Sequence, residues 1–170
     1  MKDFNLTLFA EVSLSKIISD RGRIPWNISE ADYHFRKRTL NHPCIMGRGA
    51  YEYFLEKFGQ PFDRRGNIVV SRTGEVSRAN DIVLVRTLKD ALVEAQRQTE
   101  YYPTDIAYVI GGKKLFDIAI SLPQTRCLEV LWMNKHYSGD LKFPEIDYNI
   151  WKEVSRIPMN AVSFTRYSRK

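Results

Sequence analysis

Short apolar runs alternate along most of the chain with stretches that have the apolar spacing of helices. The runs of strand length are 6–12, 44–46, 68–70, 82–85 and 106–110. The helical patterns are 29–40, 51–58, 91–99 and 115–121. Strands that take turns with helices pair in parallel through right-handed crossovers. The pattern therefore predicts an α/β protein with a largely parallel sheet.

The pattern changes in the last part of the chain, where strands follow one another without helices between them. These predicted strands are 127–133, 150–154 and 162–167, and turn residues such as Ser138-Gly139-Asp140 separate them. Such a succession favours antiparallel strands at the C-terminal end of the sheet. Because no repeat, linker or change of composition divides the chain, we expect one domain over residues 1–170.

Two helix starts carry the sequence of a capping box, in which two side chains satisfy first-turn amides reciprocally. The first begins at Ser29 with Asp32 three positions on, and the second begins at Thr87 with Asp90 three positions on. We expect both pairs to cap their helices.

The composition narrows the class of protein. Apolar residues make up 44% and charged residues 27%, with nine Phe, nine Tyr and three Trp, which suits a packed core and excludes disordered, collagen-like and coiled-coil classes. Lys and Arg number 26 against 20 Asp and Glu, a net charge of +6. An anionic partner is therefore favoured, whether nucleic acid, an acidic membrane or a phosphorylated small molecule.

The cysteines, the histidines and the start of the chain argue against metal sites, disulfides and membrane or signal segments. Cys44 and Cys127 belong to no metal-binding or disulfide spacing, and the three histidines have no metal-ligand spacing either. No apolar run approaches the ~18–20 residues of a membrane span, and residues 1–4 lack the start of a signal peptide. We expect a soluble, cytoplasmic protein without metal, disulfide or membrane segment.

Three strand ends carry residues suited to an anionic ligand. A diglycine, Gly111-Gly112, joins a strand to a helix, and glycines and basic or hydroxyl residues follow two other strands at 47–49 and 71–73. Ligands of open parallel sheets bind beyond the carboxyl ends of the strands, and a helix N-terminus attracts phosphate. A tight turn with no ligand explains the diglycine equally well by itself.

Basic clusters at 36–38 and 64–65 are typical of a solvated face. Nucleic-acid binding would require aromatic residues interleaved with them on one surface, and the sequence does not show that arrangement. The loop 19–23 could close over a cleft or serve as a connector.

Six stretches, in order and at the right spacing over about residues 4–168, resemble dihydrofolate reductase. They are Pro25-Trp26-Asn27, Phe35-Arg36-Lys37-Arg38-Thr39-Leu40, Pro43 with Ile45-Met46-Gly47-Arg48, Arg65-Gly66-Asn67-Ile68-Val69, Ile110-Gly111-Gly112, and Gly139-Asp140 with Phe143-Pro144. The resemblance implies an eight-stranded, mainly parallel sheet with an antiparallel C-terminal edge and four helices. It also implies a monomer that reduces 7,8-dihydrofolate to tetrahydrofolate with NADPH.

The resemblance also implies site residues. The cofactor positions would be Ala10, Ile18, Gly47, Arg48, Gly49, Ala50, Ser71, Arg72, Thr73, Ile110, Gly111, Gly112, Lys113, Lys114, Leu115 and Phe116. Of these, 48–50 and 111–114 would lie by the phosphates, 71–73 by the adenosine end and Phe116 by the nicotinamide. The substrate positions would be Phe9, Glu11, Ile24, Asp32, Phe35, Arg65, Ile110 and Leu131. Among them, Phe35 would flank the pteridine and Arg65 would pair with the folate α-carboxylate.

The acid position departs from the family. The pteridine-binding Asp or Glu falls on Ala31, and the threonine that hydrogen-bonds that acid falls on Leu131. Glu11, inside the apolar run 6–12, is a candidate for a relocated catalytic carboxylate, although pairing with a basic side chain explains it equally well. Asp32 is a second catalytic candidate, with the capping box as its alternative. We expect weakened trimethoprim binding unless Glu11 or Asp32 fills the vacated place.

Two other functions stay open at this point. The altered pocket floor suits an NADPH-dependent reductase of another pterin or of an aminopyrimidine, as in the riboflavin pathway, although Arg65 favours folate. A catalytically weak or structural homologue that still holds nucleotide is the third possibility.

Overall fold

The computed structural model describes residues 3–170, so residues 1 and 2 of the expected domain lie outside the described part. The strands are β1 (Asn5–Val12), β2 (Ile17–Ser19), β3 (Pro43–Gly47), β4 (Gly66–Val70), β5 (Val83–Val85), β6 (Ile106–Val109), β7 (Thr125–Met133), β8 (Leu141–Lys142), β9 (Trp151–Pro158) and β10 (Val162–Arg169). The α-helices are α1 (Ser29–Thr39), α2 (Arg48–Phe58), α3 (Leu88–Gln98) and α4 (Lys113–Ala119), and a short 3₁₀ helix spans Ala79–Asp81.

Eight of the strands form one sheet in the order β5-β4-β3-β6-β1-β7-β10-β9. Pairing is parallel from β5 through β7 and antiparallel where β10 meets β7 and β9. The predicted α/β class, the largely parallel sheet, the antiparallel C-terminal edge and the four helices are thus confirmed. A second, two-stranded sheet, in which β2 pairs antiparallel with β8, was not predicted, because strands of two or three residues carry too little periodicity.

The central strand β1 has a side chain on each face of the sheet in turn, as strand geometry requires. Leu6, Leu8 and Ala10 belong to the core on one face, which helices α3 and α4 cover. Phe9 belongs to the core on the other face, where α1 and α2 pack. Glu11, two positions after Phe9, therefore faces the same side as α1 and α2.

One of the two predicted capping boxes is wrong. Helix α1 has Ile28 as its N-cap and no side-chain cap, so Asp32 stands one position too far along the helix to complete a box. Helix α3 has the hydroxyl half of its predicted box, because the Thr87 hydroxyl accepts a hydrogen bond from the Asp90 backbone N–H at 3.1 Å. The same hydroxyl donates to the Asp90 carboxylate at 2.8 Å. Over residues 3–170, no helix has both the length and the apolar character that a membrane crossing requires.

Candidate active site

A cleft of about 780 Å³ opens at the carboxyl ends of the parallel strands. All the predicted cofactor positions line it, from Ala10 and Ile18 to the segments 47–50, 71–73 and 110–116. This is the place where open α/β sheets bind ligands. The structure thus brings the predicted cofactor residues together in one cavity, and their individual contacts with a cofactor stay a prediction.

The glycines of two strand ends allow a close approach of the backbone at the cleft floor. The Gly47 N–H donates to the Gly111 carbonyl at 2.8 Å. Gly111 has a φ of 136°, a conformation that side chains disfavour, and a Cβ there would lie 3.3 Å from the Ala50 Cβ. A side chain at Gly111 would therefore press against helix α2, and glycine lets the ends of β3 and β6 approach each other at the cleft floor.

Arginines and hydroxyls gather where β3, β4 and β5 end. Arg48 Nη1 lies 3.5 Å from Thr73 Oγ1, which lies 3.3 Å from Ser71 Oγ. Arg72 and Arg86 line the same part of the cleft. Arg86 was not among the predicted residues, although it directly follows the run 82–85 and Arg72 follows the run 68–70 one position later. Guanidinium groups in this number suit a phosphate group.

The other end of the cleft is apolar and aromatic. Phe9, Ile24, Phe35 and Ile110 line it as predicted. Phe54, which the sequence analysis did not single out, also lines it and stacks on Phe35 with ring centroids 5.7 Å apart. An aromatic residue on a helical pattern is usually a core residue, so no sequence signal distinguishes Phe54 as a residue of the cleft. The walls suit a flat, aromatic ligand.

Three predicted substrate residues are not among the described residues that line the cleft: Asp32, Arg65 and Leu131. Arg65 donates to Thr39 Oγ1 at 3.0 Å and to the backbone carbonyls of Asp63 and Arg36. Leu131 is completely buried, as is Ala31. The two residues predicted to stand in place of the family's acid and threonine are thus both core side chains.

Glu11 is the one carboxyl group among the described residues that lines the cleft. Its side chain is only partly exposed, and it lines the cavity. Burial raises the pKa of Glu11 to about 7; the neighbouring Asp32 charge adds to the rise, while Lys57 and the Trp26 indole oppose it. The Trp26 Nε1 itself meets no hydrogen-bond partner within the described structure.

Asp32 is held by a cation from the neighbouring helix. Lys57 Nζ of α2 lies 2.9 Å from Asp32 Oδ1 of α1, and the two side chains are 20% and 24% exposed. Burial tends to lower the pKa of Lys57, but the hydrogen bond and charge of Asp32 outweigh it, so the pKa is raised. Asp32 thus already has a partner, whereas the Glu11 carboxyl faces the cavity.

The described part of the chain holds no group of side chains that could bind a metal ion. Over residues 3–170, no three His, Cys, Asp or Glu side chains are grouped as metal ligands.

A mainly parallel sheet whose strand ends supply glycines and arginines to one cleft is typical of α/β enzymes that bind nucleotides. Comparison with known proteins gives the family. The family model for dihydrofolate reductase matches residues 5–169. The chain therefore belongs to the dihydrofolate reductase family and is an NADPH-dependent oxidoreductase of that type.

Individual relatives agree with this assignment. The chain is 26% identical to dihydrofolate reductase HdrB of Haloferax volcanii over 163 residues, covering 96% of this chain and 82% of the relative. It is 30% identical to dihydrofolate reductase of Bacillus subtilis over 141 residues, covering 83% and 76%. A dihydrofolate reductase from Enterococcus faecalis, complexed with NADP(H) and RAB-propyl, has the same fold with a TM-score of 0.82, 21% identity and coverage of 98% and 96%.

Proposed function

We propose that the protein reduces 7,8-dihydrofolate to tetrahydrofolate with NADPH, and that Glu11 supplies the carboxyl group of the pterin site. The observation that carries the proposal is that Glu11 is the single carboxyl group among residues 3–170 that lines the cleft. Ala31 and Leu131, which replace the usual acid and its threonine partner, are completely buried and apolar.

The residues present fit NADPH. Gly49 and Gly112 have open space where a Cβ would stand, so the backbone there can come close to a pyrophosphate, and the N-terminus of α2 and the residues 113–114 add positive charge. Arg48, Arg72 and Arg86 would hold the 2′-phosphate end. When bound, NADPH supplies the hydride that C6 of the substrate accepts.

Reduction of the C6=N5 bond also requires a proton at N5. A carboxyl group whose pKa is about 7 is divided between its acid and base forms near neutral pH, which is the condition that favours proton transfer in both directions. In its ionised form the Glu11 carboxylate can accept charge-assisted hydrogen bonds from the amidine edge of a pterin. Phe9 and Phe35 exclude water and keep the surroundings of low polarity.

The test of this proposal is the Glu11→Gln variant. We expect kcat/KM for dihydrofolate to fall by about 10²–10⁴-fold, with the NADPH dissociation constant unchanged because the cofactor end is untouched. The matched control is Glu30→Gln, since Glu30 lies beside Ala31 in sequence but binds the Ala161 backbone N–H at 3.1 Å and does not line the cleft. Full turnover by the Glu11→Gln variant would contradict the role of Glu11.

A further inference from the structure

Arg23 is the cation that the described structure places at the aromatic end of the cleft. Its guanidinium lies over the Tyr53 ring, 5.9 Å from the ring centroid. Tyr53 meets Phe54 edge-on with ring centroids 5.6 Å apart, and Phe54 stacks on Phe35 of the apolar wall. The other described cations of the cleft follow β3, β4 and β5 or begin α4: Arg48, Arg72, Arg86, Lys113 and Lys114.

The backbone of Arg23 is fixed by a tight turn, and its side chain reaches across to helix α2. The Asp20 N–H donates to the Arg23 carbonyl at 2.8 Å, and the Arg23 N–H donates to the Asp20 carbonyl at 3.0 Å. Arg23 Nη1 lies 3.2 and 3.3 Å from the two carboxylate oxygens of Glu56 on α2. The two side chains are 62% and 65% exposed, so solvent screens the pair and makes it weak.

Arg65, the arginine predicted to pair with the substrate carboxylate, is engaged by the protein itself. Its Nε donates to Thr39 Oγ1 at 3.0 Å, and its Nη1 and Nη2 donate to the carbonyls of Asp63 and Arg36. All three nitrogens of this guanidinium therefore have acceptors, and Arg65 does not line the cleft. The contacts of Arg23 with Glu56 use Nη1 alone, so Arg23 keeps further N–H donors for an anion.

We propose that Arg23 determines specificity by binding a carboxylate of the substrate's glutamate tail, and that Glu56 occupies the same guanidinium until that carboxylate replaces it. This inference rests on the proposed function, since dihydrofolate carries an aminobenzoyl-glutamate tail with two carboxylates. Glu56 presents to Arg23 the chemical group that the tail would present. Because the pair with Glu56 is exposed, exchanging one carboxylate for the other has a small cost.

The neighbours of Arg23 suit the rest of such a tail. The Tyr53 ring lies between the Arg23 guanidinium and Phe54, so an aromatic surface leads from the apolar wall toward the cation. An aminobenzoyl ring can pack on this surface, and the planar guanidinium can hold a carboxylate through two parallel hydrogen bonds.

The experiment compares 7,8-dihydrofolate with its diamide, in which both glutamate carboxyl groups are carboxamides. The two substrates have nearly the same size and the same pterin, so the ratio of their kcat/KM values reports recognition of the tail charge. We expect Arg23→Met to lower this ratio by about 5–10-fold, through a higher KM for dihydrofolate and an unchanged kcat/KM for the diamide. Glu56→Gln should raise the ratio by about 2–3-fold, because a competing carboxylate is lost.

Two other arginines serve as comparisons. Arg21 is an exposed residue of the same loop that does not line the cleft, so Arg21→Met should leave the ratio unchanged. Loss of the ratio in Arg65→Met but not in Arg23→Met would overturn the inference and return the tail to Arg65. A lower ratio in Glu56→Gln would contradict the exchange of carboxylates.

A binding measurement separates this inference from the proposed function. Should the native protein reduce neither substrate, the proposed function fails, and the dissociation constants of the two compounds, measured by isothermal titration calorimetry, replace the kinetic ratio. A preference for the acid that Arg23→Met abolishes would still support the role of Arg23. Equal affinities of the native protein for the acid and the diamide would overturn it.

Discussion

Glu11 illustrates what a single position reveals before a structure is known. An acidic residue within the apolar run 6–12 is conspicuous, and the alternation of β1 determines that it faces the same side as Phe9. The sequence could not show which cation would be near it, because Lys57 reaches Asp32 only through the packing of α1 on α2. Contacts between helices distant in sequence depend on the tertiary fold and leave no local signal.

The raised pKa of Glu11 implies a pH-dependent stability. The folded protein retains this proton up to a pH of about 7, whereas an unfolded glutamate releases it near its ordinary value of 4.5. The contribution of Glu11 to stability is thus greatest below about pH 4.5, and it is lost as the pH rises through the folded pKa. Ionisation of this buried group then destabilises the fold by about 3 kcal/mol.

Removing the titrating group should remove that penalty. Relative to the native protein, we expect Glu11→Gln to gain up to about 3 kcal/mol in free energy of unfolding between pH 5 and pH 8. Urea unfolding at both pH values measures the difference. The exposed Glu100→Gln variant is the control. A gain of equal size at both pH values would show that Glu11 does not titrate in this range.

At the scale of elements, the starts of α1 and α3 show that a capping sequence does not always form a cap. Ser29 and Thr87 carry the same capping pattern, but only Thr87 caps its helix. In α1 the helix begins with Ile28 as its N-cap, and its first-turn acids bind elsewhere, Glu30 to the Ala161 N–H and Asp32 to Lys57. The acidic side chains of this turn therefore bind partners from other elements instead of capping the helix. The local sequence does not contain the information needed to predict those partners.

These two residues form a matched pair of variants. We expect Thr87→Ala to lower the free energy of unfolding by about 1 kcal/mol, since an orphan amide of α3 loses its acceptor. Ser29→Ala should change it by less than about 0.5 kcal/mol because that hydroxyl caps nothing. Chemical denaturation of both variants measures this difference. Equal losses would show that the Thr87 hydrogen bond does not contribute to stability.

At the scale of the whole molecule, part of the excess of basic residues is concentrated in the cleft. Six cations line the cleft against the single carboxyl of Glu11: Arg23, Arg48, Arg72, Arg86, Lys113 and Lys114. The alternation of strands and helices was enough to predict the sheet and the edge at which the cleft opens. It was not enough to predict Arg86 or Phe54, whose positions in the cleft depend on how β5 and α2 pack against the sheet.

Because NADPH is expected to bind to these cations in the folded protein, its binding should raise the thermal stability of the protein. At about 100 times its dissociation constant, NADPH should stabilise the fold by about 2.7 kcal/mol, which raises Tm by about 5–10 °C for a chain of this size. We expect Arg72→Ala and Arg86→Ala to reduce the shift with NADPH but not the shift with NADH, which lacks the 2′-phosphate. Differential scanning calorimetry provides the measurement, and equal reductions with both cofactors would assign these arginines to another part of the ligand.

The place of Glu11 on the sheet has a consequence for motion. Strand β1 is hydrogen-bonded on both sides, to β6 and to β7, whereas helices and loops at a cleft can shift against the sheet. A carboxyl carried by the central strand keeps its position while the segments around the cleft open and close. The carboxyl group proposed for the pterin site thus lies in one of the least mobile elements of the fold, so substrate entry and product release need not disturb it.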